Sequence, residues 1–83
     1  MKVQIKYFAS IREAVGIGAE SLETNATTVA GLRDELIARG AGYAESLARG
    51  KAVRVALNQT LSDESAALVE GAEIAFFPPV TGG

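Results

Sequence analysis

The chain has 83 residues, of which 48% are hydrophobic and 22% charged, and its formal net charge is -2. This size and composition are typical of one folded domain rather than of a disordered chain. The basic residues are scattered, which argues against a nucleic-acid partner. The sequence contains no cysteine and no histidine, so disulfides, thiolate catalysis, zinc sites of the usual kind and histidine acid-base chemistry are excluded.

The N-terminal segment alternates apolar and polar residues, whereas a signal peptide would carry a continuous apolar run. No stretch of the chain approaches the roughly 20 apolar residues that a membrane-spanning helix needs. We therefore expect a cytoplasmic protein without a membrane partner.

The first 25 residues predict two strands joined by a helical turn. Residues 2–8 alternate as a half-buried strand does, and the side chains of one face are Val3, Ile5 and Tyr7. Ser10 and Glu13 have the spacing of a capping box, which predicts a single helical turn that ends near Gly16. A shorter second strand is expected over residues 19–25.

The main helix is predicted to begin after Thr28, whose hydroxyl can cap it. Its apolar stripe is Val29, Leu32, Leu36 and Ile37, which must pack on a sheet. Gly40 occupies the position where a left-handed residue would end the helix. Tyr43 and Leu47 lie four residues apart, and this spacing predicts a helical turn within a connection rather than a separate element.

The C-terminal part predicts two or three further strands. Residues 51–60 alternate again, with an inward set of Val53, Val55 and Leu57, an outward Arg54 and a turn at residues 58–59. A helical turn is possible at residues 65–68, and the last strand is expected over residues 73–77. This order of elements indicates an α+β domain in which one main helix packs on a mixed sheet of four to five strands.

Strand parity places large side chains on the face that the main helix does not cover. If Ile74 and Phe76 point inward, Ala75 and Phe77 point outward, and Phe8 at the end of the first strand also points away from the helix. Contiguous exposed apolar surface marks an interaction site. The alternative, in which Phe8 or Phe77 tucks around an edge of the sheet, stays open.

The chain ends in the sequence FFPPVTGG, which predicts a tail attached to a domain of residues 1–77. Pro78 and Pro79 end the strand because they cannot donate to it, and they favour an extended course. Residues 78–83 could then reach roughly 20 Å from the domain. Two terminal glycines, which lack Cβ, would pass through a narrow channel. An inert, frayed terminus is the alternative.

A reactive terminus would need chemical activation, because an α-carboxylate is ionised at neutral pH and is a poor electrophile. Its attack on a nucleoside triphosphate would give an acyl-adenylate, which a sulfur or nitrogen nucleophile could displace. The GIG sequence at residues 16–18 is neither a phosphate loop nor a dinucleotide fingerprint. The activating enzyme must therefore be a separate protein.

Four segments together resemble the MoaD family, the sulfur-carrier small subunits of molybdopterin synthase. These segments are FAS-IRE at 8–13, ALNQT at 56–60, EGAEIAFFPP at 70–79 and FFPPVTGG at 76–83. The resemblance covers essentially the whole chain. It implies a β-grasp, ubiquitin-like fold with a flexible C-terminal tail.

The resemblance also implies a role for the tail. Gly83 would be adenylated by a MoeB-type enzyme that uses ATP, and would then be converted to a thiocarboxylate. The tail, comprising Pro79, Val80, Thr81, Gly82 and Gly83, would enter a MoaE-type large subunit and donate sulfur to a pyranopterin precursor. The synthase would pair two small with two large subunits, and this chain would supply no catalytic residue, metal ligand or bound cofactor.

The same resemblance implies an apolar contact surface for the partner that contains Phe8, Leu61 and Phe77. Arg12 would add a polar contact to this surface. A solvated surface charge is an equally good interpretation of Arg12.

Three other functions stay open on the sequence. The first is a sulfur carrier for thiazole, cysteine or tRNA thiolation, since such carriers share the fold and the Gly-Gly end. The second is a ubiquitin-like modifier joined through Gly83 to a lysine. The third is an interaction module with an inert tail.

Overall fold

The computed structural model describes residues 1–79, and residues 80–83 lie outside the described part. The described elements are β1 (Lys2–Tyr7), α1 (Ala9–Val15), β2 (Ala19–Glu23), α2 (Val29–Ile37), α3 (Ala41–Leu47), β3 (Arg54–Leu57), β4 (Thr60–Ser62) and β5 (Glu73–Phe77). The predicted α+β class is confirmed. Within residues 1–79, none of the helices combines the length and apolar character needed to cross a bilayer.

The strands form one mixed sheet in the order β2-β1-β5-β3-β4. The two central strands, β1 and β5, run parallel, and every other neighbouring pair is antiparallel. The first and last strands of the described chain are therefore neighbours, which places the C-terminal end of β5 beside the end of β1.

The core lies between the sheet and α2. Alternate residues of β1 and β5 point into it and are almost completely buried, and the apolar stripe of α2 meets them. These buried side chains are Val3, Ile5, Tyr7, Val29, Leu32, Leu36, Ile74 and Phe76. The predicted inward faces of both strands and the predicted stripe are confirmed, with Ile37 only partly buried at the stripe's end.

Helix α2 begins as predicted but ends differently. The Thr28 hydroxyl accepts a hydrogen bond from the Gly31 backbone N–H at 3.2 Å. The C-cap is Ala38, which has ordinary right-handed torsion angles, so the prediction that Gly40 ends this helix is wrong. Gly40 has a φ of 78° but is the N-cap of α3. Its carbonyl accepts from the N–H of Ala44 and so begins the next helix.

Helix α1 is longer than the predicted single turn, and it has no capping box. Its N-cap is Phe8, which makes no side-chain capping bond, and the Phe8 carbonyl accepts from the N–H of Arg12. Because the helix begins at Ala9, Ser10 lies inside the first turn and cannot cap it. Gly16 ends the helix in the left-handed conformation, as predicted, with a φ of 94°.

Residues 41–47 form a complete helix, so the prediction of a mere turn in a connection is wrong. The reason lies in close packing between α1 and α3. A Cβ atom on Gly42 would lie 1.7 Å from the carbonyl oxygen of Ala14. The close contact with α1 and the burial of Leu47 stabilise α3. A sequence pattern reveals neither of them.

Residues 65–68 do not form the possible helical turn. Ala67 instead makes an antiparallel β-bridge with Thr28, and the Leu68 N–H donates to the Thr27 carbonyl at 2.9 Å. These bonds to the segment before α2 satisfy the backbone groups that a helical turn would have used.

The strands agree with the predictions to within three residues. β1 ends at Tyr7, β2 ends at Glu23, β3 begins at Arg54 and β5 spans Glu73–Phe77 as predicted. The turn predicted between β3 and β4 is present. Both of its residues, Asn58 and Gln59, have positive φ, as in the turns that match the twist of a hairpin.

Candidate functional site

The outer face of the sheet, which points away from α2, carries a set of apolar side chains that we call the apolar strip. Its members are Phe8, Ala56, Leu61, Ala75 and Phe77. Strand register brings them together, because Ala56 stands opposite both Ala75 and Leu61. Directly opposed residues share a face of a sheet, so three strands and Phe8, which lies between β1 and α1, contribute to one surface.

The three large side chains of the strip are accessible from solvent. Phe8 is 45% exposed and Leu61 is 67% exposed, whereas Phe77 is half-buried. The predicted outward direction of Phe8 and Phe77 is confirmed, since both line one groove on this face. The alternative in which they tuck around an edge is not what the structure shows.

The groove has a volume of about 750 Å³ and is open to solvent. Small side chains line it between the two phenylalanines, namely Ala9, Ala56 and Ala75. Its polar boundary includes the Lys6 ammonium, which lies 3.5 Å from a carboxylate oxygen of Glu73. Ala56, Lys6 and Glu73 were not singled out by sequence reasoning, although strand alternation in β1, β3 and β5 would have placed them on this face.

The base of the predicted tail lies at the edge of this groove. β5 ends at Phe77, and Pro78 and Pro79 both line the groove. The chain therefore leaves the sheet next to the apolar strip. Val80, Thr81, Gly82 and Gly83, which were predicted to enter a partner, lie outside the described residues.

Arg54 borders the apolar strip. In the register between β3 and β5 it stands opposite Phe77, and its side chain is exposed. Its predicted outward direction is confirmed. Sequence reasoning gave it no role, because the register that places it beside Phe77 cannot be read from either strand alone.

Arg12 lies apart from the groove. It is on α1, and its guanidinium packs against Gly18. Together with Glu13 and Ile17 it lines a separate surface hollow. The structure brings Phe8, Leu61 and Phe77 onto one face of the sheet, whereas Arg12 does not line the groove that contains Phe8 and Phe77.

Glu20 is the centre of a polar cluster on the core side of the sheet. Its carboxylate accepts hydrogen bonds at 2.8 Å from the hydroxyls of Tyr7 and Tyr43 and from the Arg39 guanidinium. Burial raises the pKa of Tyr7 well above its usual range, and the bond to Glu20 acts in the same sense. Burial alone would raise the pKa of Glu20, but the bonds from Arg39 and the tyrosines hold it below its usual value.

Arg33 is a buried cation that fixes the connection after α3. It is only 3% exposed, and it donates to the carbonyls of Leu47 and Ala48 at 2.7 and 2.8 Å. Its charge is paired with Glu64 at 2.6 Å. This cluster and the Glu20 cluster both contribute to the folded structure, and neither reaches the groove. Among the residues that the structure describes, no group of three or more metal-ligating side chains is placed to hold a metal ion.

A family model described as the ThiS family matches residues 5–83 of the chain. Two curated relatives are each named molybdopterin synthase sulfur carrier subunit. The protein from Haemophilus influenzae is 43% identical over 81 residues, which are 98% of this chain and 99% of the relative. The protein from Escherichia coli is 41% identical, also over 98% of this chain and 99% of the relative.

Solved structures share the fold over the full chain. SAMP1 from Haloferax volcanii superimposes with a TM-score of 0.78 and 25% identity, covering 100% of both chains. A chain of the protein-protein complex of subunits 1 and 2 of molybdopterin-converting factor from Helicobacter pylori has a TM-score of 0.70 and 30% identity, again covering 100% of both chains. The ubiquitin-like β-grasp fold expected from the sequence resemblance is thereby confirmed.

Proposed function

This chain belongs to the ThiS family, and from that premise we propose that it is the sulfur-carrier small subunit of a molybdopterin synthase. The observation that carries the proposal is the similarity, over nearly the whole chain, to two curated sulfur-carrier subunits of that enzyme. In this proposal residues 1–77 form the domain that docks, and residues 78–83 form the tail that reacts.

The reactive group is the carboxylate of Gly83. A carboxylate oxygen attacks the α-phosphorus of ATP on a MoeB-type enzyme, which releases pyrophosphate and gives an acyl-adenylate. Sulfide, supplied as HS⁻ by the sulfur donor, then displaces AMP from the carbonyl carbon, and loss of its proton leaves a C-terminal thiocarboxylate. Its sulfur passes to a pyranopterin precursor, and water restores the carboxylate. The chain binds no cofactor in this scheme, and the ATP is held by the activating partner.

The partner at the sulfur-transfer step is a MoaE-type large subunit, in an assembly of two small and two large subunits. The solved complex of the two subunits of molybdopterin-converting factor supports a partner of this kind. The outer face suits docking, because its apolar strip lies next to the point where the tail leaves β5. Phe8, Leu61 and Phe77 would bury against the partner while Pro79, Val80, Thr81 and Gly82 extend Gly83 toward the precursor.

We also propose a cytoplasmic location, because the activation step consumes ATP. Arg12 adds at most a contact beside the docking surface in this scheme, since it lies outside the groove.

Intact-mass spectrometry tests the chemistry. The full chain is incubated with a MoeB-type enzyme, ATP and a sulfur donor, and the expected product is heavier by the difference between one sulfur and one oxygen atom. Deletion of Gly83 should abolish this change while leaving the fold intact. An unchanged mass for the full chain, or an equal change in the deletion variant, would contradict the proposal.

A second measurement distinguishes molybdopterin synthesis from the other sulfur-transfer pathways and from protein modification. The thiocarboxylated chain is mixed with a MoaE-type large subunit and the precursor, and molybdopterin should form in proportion to the carrier added. A thiocarboxylate that forms but yields no molybdopterin would instead favour a carrier for another pathway. Attachment of the chain to lysines of other proteins, without sulfur transfer, would favour a modifier.

A further inference from the structure

The position of Arg54 sets it apart from the other cations of the chain. It stands opposite Phe77 across the β3–β5 pair, and it lies two residues from Ala56 on the same strand. Alternate residues of a strand share a face, so Arg54 borders the apolar strip. A partner that covers Phe77 and Leu61 must also approach this guanidinium.

Acidic side chains near Arg54 are engaged elsewhere. Asp63 and Glu64 line the same surface hollow as Arg54. Glu64 instead pairs with both Arg33 and Arg49, and Asp63 accepts hydrogen bonds from the backbone and hydroxyl of Ser65. Within residues 1–79, Arg54 forms no ion pair.

Lys6, which lines the groove, differs from Arg54 in this respect, since Glu73 neutralises it at 3.5 Å. Beside the apolar strip, Arg54 is thus a cation without a counter-charge among the described residues, although the chain as a whole has a net charge of -2. Covering this cation with an apolar surface would cost free energy unless the covering surface supplies an anion.

We propose that Arg54 pairs with a carboxylate of the large synthase subunit, placed beside the apolar surface that covers Phe77. This inference rests on the proposed function, because it assumes that the outer face docks on that subunit. The ion pair fixes the orientation of docking and so directs the tail, which begins one residue after Phe77. A planar guanidinium can hold a carboxylate through two parallel hydrogen bonds, which an ammonium group cannot do.

The test measures the affinity of the full-length chain for the purified large subunit at low and at moderate salt. Arg54→Ala should weaken binding about tenfold at low salt and should reduce the salt dependence of the affinity. Arg54→Glu should weaken binding further, and Arg54→Lys should lose less than Arg54→Ala. Lys2→Ala is the matched control, since it removes one exposed cation from the same face at the far end of β1 and should bind within about twofold of the wild type.

A double-mutant cycle identifies the carboxylate. Each aspartate and glutamate on the apolar contact surface of the large subunit is changed to its amide, and one of these changes should lose its effect when Arg54 is already alanine. Wild-type affinity in Arg54→Ala and Arg54→Glu, or additivity throughout the cycle, would overturn the inference while leaving the proposed function intact. Failure of the wild-type chain to bind the large subunit would overturn both.

Discussion

At the scale of single residues, the Glu20 cluster shows how burial and hydrogen bonding set the ionisation of side chains. Tyr7 is almost completely buried between the sheet and the helices. Its hydroxyl donates to Glu20, and its ring packs edge-on against Tyr43 at 6.0 Å. A phenolate at this position would lie in an apolar environment beside a carboxylate, so the folded chain strongly favours the protonated phenol.

The stability of the protein should therefore fall at alkaline pH. The pKa of Tyr7 is raised in the folded state, whereas an unfolded tyrosine loses its proton near pH 10. Below that pH both states hold the proton, and the contribution of Tyr7 to the free energy of unfolding is constant. Above it the unfolded state binds fewer protons, so the free energy of unfolding should fall by up to about 1.4 kcal/mol per pH unit from this group.

Tyr7→Phe isolates this effect, because every other titrating group is common to both proteins. At neutral pH the variant should be about 1 kcal/mol less stable, owing to the lost hydrogen bond to Glu20. Urea unfolding between about pH 9 and pH 11 should show this difference shrinking and then reversing. A difference that stays constant over this range would show that Tyr7 ionises normally in the folded state.

At the scale of elements, the contact between α1 and α3 is decided by one glycine. Gly42 lies in the first turn of α3, and the missing Cβ leaves room for the Ala14 carbonyl of α1. Helix propensity and packing predict opposite effects for a substitution here. Alanine should stabilise a helix by about 1 kcal/mol relative to glycine, but it would place a carbon atom 1.7 Å from a backbone oxygen.

Gly42→Ala should lower the free energy of unfolding by about 2 kcal/mol, because α1 and α3 must separate to admit the methyl group. The measurement is urea denaturation followed by circular dichroism. Gly50→Ala is the control, since no atom lies within 4 Å of the position of its Cβ, and it should change the stability by less than about 0.5 kcal/mol. A stabilised Gly42→Ala variant would mean that helix propensity outweighs the contact.

The same elements show what the sequence could and could not predict. β1, β5 and the stripe of α2 were predicted because alternation and helical periodicity directly express which side chains are buried. α1 and α3 have only 7 residues each, which is too short for a full apolar stripe. Their existence depends on contacts such as that of Gly42. Residues 65–68 were mispredicted because a β-bridge to Thr28, distant in sequence, decides their conformation.

At the scale of the whole molecule, the two faces of the sheet have different roles. One face holds the core, and the other presents the apolar strip next to the end of β5. The outward direction of Phe8 and Phe77 was predictable from parity within one strand. The positions of Arg54 opposite Phe77 and of Leu61 opposite Ala56 were not, since each depends on a register between strands that no local pattern encodes.

Two exposed apolar residues allow a direct test of which surface docks. Leu61 is 67% exposed on the apolar strip, and Val69 is 60% exposed in the connection between β4 and β5. Neither side chain is needed in the core, so Leu61→Asp and Val69→Asp should each change the free energy of unfolding by less than about 0.5 kcal/mol. Any difference in binding then reports on position rather than on folding.

Leu61→Asp should weaken binding to the large subunit by about tenfold or more, because docking would bury an unpaired carboxylate in an apolar contact. Val69→Asp should bind as the wild type does, since Val69 lies in the β4–β5 connection, does not line the groove and undergoes the same change of charge. Calorimetric titration of both variants against one preparation of the large subunit makes the comparison. Equal weakening would point to a general effect of negative charge, and wild-type binding by Leu61→Asp would place the docking surface elsewhere on the domain.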